Sequence, residues 1–174
     1  MISGRTTLVL GGARSGKSAF AEQLVAETRA TRVYLATATA GDDEMRDRIA
    51  HHRARRGDGW RTVEEPLTLV DALTREDRIG TAILVDCLTL WLSNLMHADK
   101  DVEAETRQLA ALLRDAQGNI VLVSNEVGLG LVPETALGRT FRDAQGRLNQ
   151  AIAAAVTNVA FITAGLPIWL KQKS

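Results

Sequence analysis

The sequence predicts a three-layer α/β fold: a mainly parallel β-sheet with helices on both faces, in a single domain spanning residues 1–174. Three observations carry this reading. Short apolar runs alternate with helical stretches along the whole chain. Those runs are apolar at nearly every position rather than at every second one, as expected for strands covered on both faces. The length of 174 residues suits one hydrophobic core.

Taken in order, TTLVL at 6–10 reads as a strand and 17–29 as a helix. RVYLA at 32–36 is a second strand, and 42–56 a polar helix. A helix over 67–74 precedes the buried strand TAILVD at 81–86 and a helix over 88–97. Leu109, Leu112 and Leu113 share one face of a helix over 102–116. IVLVS at 120–124 is a strand. Phe141, Ala144, Leu148, Ile152 and Val156 recur at helical spacing over 137–156. A late strand follows at 159–164, and 168–170 is a candidate for one more. These last one or two strands are candidates for antiparallel pairing. Segments 53–59 and 99–101 read as surface connections.

Composition narrows the functional classes. The chain is 45% hydrophobic and 24% charged, with 21 basic and 21 acidic residues and zero formal net charge. That balance gives no support to a nucleic-acid partner or an anionic membrane surface. Residues 148–170 carry no charge and are long enough to span a bilayer. They contain Asn149, Gln150, Thr157, Asn158, Thr163, Gly165 and Pro167, so an Ala-rich helix followed by a buried strand explains them better than a membrane span. No signal peptide is visible. The single Cys87 excludes an internal disulfide and a cysteine-rich metal site. It reads as a buried thiol, which fits a reducing cytoplasm.

Between the first strand and the first helix lies GGARSGKS, which meets G-x-x-x-x-G-K-[ST] through Gly11, Gly16, Lys17 and Ser18. Its other members are Gly12, Ala13, Arg14 and Ser15. Glycines allow the turn that points successive N–H groups at a phosphate. The helix N-terminus adds favourable partial charge. Lys17 reaches the β- and γ-phosphates, and the Ser18 hydroxyl is placed to ligate Mg²⁺. On such a sheet this motif defines a P-loop NTPase of the RecA-like, three-layer kind. Asp86, ending an apolar strand, is the candidate acidic partner for Mg²⁺; it is also placed to cap the helix that follows. Glu126, just beyond the strand 120–124, is a second acidic group at the strand-end edge where ligands bind in open parallel sheets. It is a candidate to orient a nucleophile or second substrate, the alternative being a solvated loop carboxylate.

Two of the three histidines are adjacent, His51 and His52, within DDEMRDRIAHHRARRG. Adjacent side chains on a helix point about 100° apart, which disfavours a shared metal ion. Two readings stay open: a solvated polar face, or a nucleophile. A neutral imidazole can attack phosphorus near pH 7, and Arg53, Arg55 and Arg56 would offset phosphate charge. Met45, Ile49 and His52 follow i, i+4, i+7, so His52 shares the apolar face and His51 is displaced from it.

Four segments together are distinctive: GGARSGKS, YLATATAGDDEMRDRIAHHRARRGDGWRTVEEP, LVDCLTLWLSNL and VLVSNEVGLGLVPETALGRTFRDAQGRLNQ. In order and over nearly the whole chain, they resemble the bifunctional adenosylcobinamide kinase/adenosylcobinamide-phosphate guanylyltransferase family of cobalamin biosynthesis. The resemblance implies two activities. The γ-phosphate of ATP or GTP goes to adenosylcobinamide. GTP then guanylylates an enzyme histidine, and GMP passes to adenosylcobinamide phosphate, giving adenosylcobinamide-GDP and pyrophosphate.

Carried over by position, residues 11–18 hold the triphosphate, and Ala36, Thr37 and Ala38 touch the nucleotide. The guanylylated histidine is assigned to His52, with His51 as runner-up. Arg53, Ala54, Arg55, Arg56, Glu64 and Asp86 complete the GTP site. Glu126, Val127 and Gly128 begin the region to search for corrinoid contacts. The resemblance also implies a homo-oligomer, a trimer among the candidates, with sites between subunits. Two rivals remain in view: a P-loop kinase of another small alcohol or nucleoside without a covalent intermediate, and a nucleotide-dependent regulatory switch.

Overall fold

The computed structural model describes residues 6–38 and 58–172. Seven strands form one sheet: β1 (Thr6–Gly11), β2 (Thr31–Ala36), β3 (Trp60–Glu64), β4 (Thr81–Asp86), β5 (Asn119–Asn125), β6 (Asn158–Thr163) and β7 (Leu166–Lys171). Their order is β3-β2-β4-β5-β1-β6-β7. Every neighbouring pair is parallel except β6–β7, which is antiparallel. The described helices are α1 (Lys17–Ala26), α2 (Leu69–Glu76), α3 (Leu88–His97), α4 (Val102–Arg114) and α5 (Ala136–Ala155). The mainly parallel three-layer sheet and its antiparallel end are as expected.

Alternation within each strand sends successive side chains to opposite faces, and both faces of the inner strands are dry. Leu8, Leu10, Val33, Leu35, Ile83, Val85, Ile120 and Leu122 belong to a core completed by α2, α3, α4 and α5. Val9, Tyr34, Leu84, Val121, Val123 and Ile162 face the other way, onto Ala21 and Val25 of α1. Two-sided burial is why the strands read as uninterrupted apolar runs. The covering is uneven: among the described helices, four lie on one face and α1 alone on the other.

The sequence reading left β3 unassigned. It is an edge strand whose Arg61 and Glu64 are exposed and whose remaining residues are only half-buried, so it lacks the apolar run that marks the inner strands. The helix expected over 42–56 lies outside the described residues. The uncharged stretch 148–170 is the end of α5 followed by β6 and most of β7, and no helix among the described residues is long and apolar enough to cross a membrane.

Trp91 is the largest fully buried side chain, and its indole N–H donates to Leu67 O at 2.9 Å. It therefore fixes α3 both by packing and by one directional bond to the segment leading into α2. Replacing it with alanine should lower folding stability by about 3–5 kcal/mol, through cavity formation and an orphaned carbonyl. Urea midpoints measure this directly; a loss below about 1 kcal/mol would contradict the packing described.

Candidate nucleotide-binding site

Parallel register gathers the strand C-termini at one edge. Gly11 pairs with Asn125, and Ala36 pairs with both Glu64 and Asp86. The phosphate-loop candidate leaves that edge directly from β1. Gly16 has φ 95°, a left-handed conformation glycine adopts without the usual steric cost. A Cβ on Gly11 would come within 2.7 Å of Ile162 O and 2.5 Å of Ser15 Oγ, so only glycine fits there without displacement. The turn between β6 and β7 braces the loop from outside: Gly165 N–H donates to Ser15 O at 2.8 Å.

Lys17 is buried, and its Nζ donates to Gly12 O at 2.9 Å. The side chain thus curls back over the loop, with its charge at the loop's centre. Burial pushes the ammonium below its ordinary pKa, while the side chains of Cys87 and Asp86 pull the other way. Ser18 is half-buried in the first turn of α1, and Ser15 Oγ is buried with no hydrogen-bond partner among the described residues. A buried, unused hydroxyl beside a buried cation and the N-terminus of a ten-residue helix suits an anionic phosphate group. Arg14 and Ala13 are exposed at the loop tip.

Asp86 ends β4, half-buried, and its Oδ2 accepts from the Tyr34 hydroxyl at 3.0 Å. Tyr34 in turn meets Trp60 edge-to-face, with ring centroids 6.4 Å apart. The carboxylate is therefore oriented from β2. No cluster of three or more His, Cys, Asp or Glu side chains able to hold a metal occurs among the described residues. This donor set fits Mg²⁺, which commonly takes one or two protein ligands and completes its shell with substrate phosphates and water. Ser18 and Asp86 are the side chains that would hold it.

Thr37, one of the three residues assigned to nucleotide contact, lies just beyond β2. It is fully buried, and its hydroxyl donates to Cys87 O at 2.7 Å and accepts from Cys87 N–H at 2.8 Å. Its side chain ties the end of β2 to the end of β4. Ala36 is buried, and Ala38 is the half-exposed member of the three. Glu64 lies exposed at the end of β3. Glu126 is half-buried; its N–H donates to Gly11 O at 3.0 Å and its Oε1 accepts from Gly128 N–H at 2.5 Å. That places the start of the 126–128 segment directly beside the phosphate loop. His51, His52, Arg53, Ala54, Arg55 and Arg56 lie outside the described residues.

Several groups at this edge carry no local sequence signal. Asn94 Nδ2 donates to Thr37 O at 2.8 Å and to Pro66 O at 3.0 Å, and Thr89 Oγ1 accepts from Asn125 N–H at 2.8 Å. An Asn or Thr within a helix is unremarkable until the fold shows which backbone group it meets.

Comparison with known proteins agrees with this geometry. The family model described as cobinamide kinase / cobinamide phosphate guanyltransferase matches residues 7–170. The chain belongs to this family. It is 52% identical to the bifunctional adenosylcobalamin biosynthesis protein CobP of Pseudomonas aeruginosa, over 94% of this chain and 96% of that protein. It is 39% identical to the bifunctional adenosylcobalamin biosynthesis protein CobU of Escherichia coli, over 94% and 98%. Among solved structures, an ATPase of a type III secretion system aligns with a TM-score of 0.57 at 12% identity, covering 97% of this chain and 57% of that one. A Pyrococcus horikoshii OT3 protein, PH0250, gives 0.56 at 12% identity, over 100% and 89%. At such identities these likenesses show the fold alone, and they bear out the expected P-loop NTPase-type fold.

Cys87 is buried beside Asp86, and its thiol is pushed up from 9.0 to about 11, by burial first and the Asp86 charge second. A raised thiol pKa contributes stability that is present below the unfolded value and lost as pH climbs through the folded one. Between pH 9.0 and about 11 the wild type should therefore lose about 2–3 kcal/mol that a Cys87→Ala protein does not. Denaturant midpoints taken across that window measure the difference; superimposable pH profiles would refute it.

Proposed function

We propose that this member of the family performs both reactions at the edge just described. In the first, the γ-phosphoryl group of ATP or GTP passes to the aminopropanol hydroxyl of adenosylcobinamide. In the second, a histidine attacks the α-phosphorus of GTP, a P–N bond forms, and pyrophosphate leaves. An oxygen of adenosylcobinamide phosphate then attacks that phosphorus, the P–N bond breaks, and adenosylcobinamide-GDP is released. The observation that carries the reading is the buried Lys17 ammonium within the phosphate loop, beside Asp86, in a chain matched by the family over residues 7–170.

The roles follow from chemistry and position. When the phosphates arrive, Lys17 Nζ has N–H groups to offer besides the one directed at Gly12 O. The loop N–H groups and the α1 N-terminus hold the phosphate chain. Ser15 Oγ gains an acceptor, and Ser18 with Asp86 holds Mg²⁺. Bound there, Mg²⁺ supplies charge neutralisation to the phosphate oxygens. His52 is the proposed nucleophile for guanylyl transfer, with His51 second. Arg53, Ala54, Arg55, Arg56 and Glu64 are proposed to complete the GTP site together with Ala36, Thr37 and Ala38.

The corrinoid side of the reaction is assigned to the loop after β5. It begins with Glu126, Val127 and Gly128 beside Gly11, and continues through the exposed apolar residues Leu129, Leu131 and Val132. An apolar, solvent-facing loop is suited to a large amphipathic substrate. A homo-oligomer, with a trimer among its candidate forms, is proposed on a different surface: Leu166, Ile168 and Leu170 line one exposed face of the edge strand β7. The cytoplasm is the proposed location, consistent with one buried free thiol and no disulfide.

GTP labelled at the α-phosphate should leave an acid-labile, base-stable label on the protein. His52→Ala should abolish that label and His51→Ala should retain it. The reverse pattern would move the assignment to His51, and no label in the wild type would end the covalent reading in favour of a simple kinase. Lys17→Ala should lower cobinamide phosphorylation by about 10²-fold or more, because it removes the charge serving the β- and γ-phosphates. Phosphorylation within a few-fold of wild type would displace Lys17 from that role.

A further inference from the structure

Beneath the Asn125–Glu126 turn lies a polar trio in an otherwise apolar interface. Ser124 and Gln145 are fully buried, and Asn149 nearly so. The Ser124 hydroxyl donates to Asn149 Oδ1 at 2.7 Å. Gln145 Nε2 donates to Ser124 Oγ and to Asn149 Oδ1, each at 3.0 Å. Asn149 Nδ2 then donates to Asn125 O at 3.1 Å. The single proton of Ser124 goes to Asn149, so Gln145 must present its N–H side to both. That leaves Gln145 Oε1 buried with no hydrogen-bond partner among the described residues.

Such an arrangement costs stability. Buried polar groups are tolerated when every member is satisfied, and a half-satisfied network does worse than an apolar core of the same shape. Leu148 and Ile152, neighbours on α5, fill the same interface with plain hydrocarbon. What the trio does supply is direction. Gln145 holds in place the amide of Asn149, one turn away on α5, and Asn149 fixes the carbonyl of Asn125, the last residue of β5. Thr89 Oγ1 fixes the N–H of the same residue. The next residue, Glu126, donates its N–H to Gly11 O. Both polar groups of the Asn125 backbone are thus held where the chain leaves the sheet beside the phosphate loop.

We propose that Gln145, with Ser124 and Asn149, is a positioning residue for the phosphorylation step, aiming the Asn125–Glu126 turn at the phosphate loop. This rests on the reading above that the 126–128 segment serves the corrinoid alcohol. The trio touches neither nucleotide nor substrate; it acts through Asn125 and Glu126. It sets turnover, while nucleotide grip stays with the loop at 11–18.

The test uses the full-length protein with four substitutions: Gln145→Leu, Ser124→Ala, Glu126→Gln and, as a packing control in α5, Ile152→Val. Gln145→Leu removes the orphaned oxygen, so its melting temperature should equal or exceed that of wild type. Its kcat for cobinamide phosphorylation should fall at least tenfold, with the nucleotide KM within twofold. Ser124→Ala should fall several-fold with the same KM. If Gln145→Leu fails to fold, Ser124→Ala alone decides the matter. Glu126→Gln should lose activity at least as severely. Loss in Glu126→Gln with normal turnover in Gln145→Leu and Ser124→Ala would overturn the positioning role and leave the substrate assignment standing. Full activity in Glu126→Gln would overturn the substrate assignment and this proposal with it. Activity losses that merely track melting temperature across the trio and Ile152→Val would make the trio structural and also overturn it.

Discussion

A buried ammonium group sets the terms at the sheet edge. Lys17 is held within the loop by Gly12 O, with Asp86 close enough to influence its protonation. A cation removed from water is expensive unless charge and hydrogen bonds compensate it. On the proposed assignment a triphosphate would supply both, and its binding would relieve a penalty that folding has already incurred. The same burial demands a rigid loop, because a flexible one would let the ammonium escape to solvent. The bond from Gly165 to Ser15 O holds the loop, while glycine at 11 permits its close approach to Ile162 O and glycine at 16 its left-handed turn.

Side-chain bridges between strand ends keep this edge assembled around the loop. Thr37 joins β2 to β4 through Cys87. Asn94 joins the backbone after β2 to the backbone after β3. Thr89 and Asn149 hold Asn125 from α3 and α5 respectively. Parallel strands end in carbonyl and N–H groups that the sheet itself no longer pairs, and these polar side chains satisfy them. The energetic role and the functional one coincide here: satisfying strand-end groups also fixes the direction in which each loop leaves. Preorganisation of this kind spares the reacting complex the cost of arranging the site itself.

The inner strands were legible because burial on both faces writes an unbroken apolar run into the sequence. β3 was not, since an edge strand with exposed Arg61 and Glu64 has no reason to be continuously apolar. The turn between β1 and α1 was legible because its glycines answer steric demands at Gly11 and at Gly16. The place of Asp86 at the end of β4 was legible from TAILVD. The polar supports were not, because Thr37, Asn94, Gln145 and Asn149 acquire meaning only from partners 21 to 57 residues away or from burial that composition does not reveal. One hint was available for the last two: an amide pair spaced i, i+4 beside the apolar stripe Ala144, Leu148, Ile152. The histidine pair was read from the sequence and from family resemblance, and lies outside the described residues.

Strand order bears on how one nucleotide could serve two reactions. With the phosphates fixed over β1, the nucleophile's direction of approach decides which phosphorus reacts. β5 lies next to β1, so the loop beginning at Glu126 adjoins the phosphate loop at Gly11. The chain carrying the histidine pair leaves β2 and re-enters at β3, beyond β4 on that same side of the sheet. On the proposed assignment, the corrinoid hydroxyl is presented from the nearer strand end and the imidazole from the farther ones. Asp86, on β4, stands between those strand ends, while Lys17, on β1's loop, flanks β5 from its other side. A single phosphate grip then suffices for both chemistries, because each attacking group belongs to a different strand's loop and neither has to displace the other.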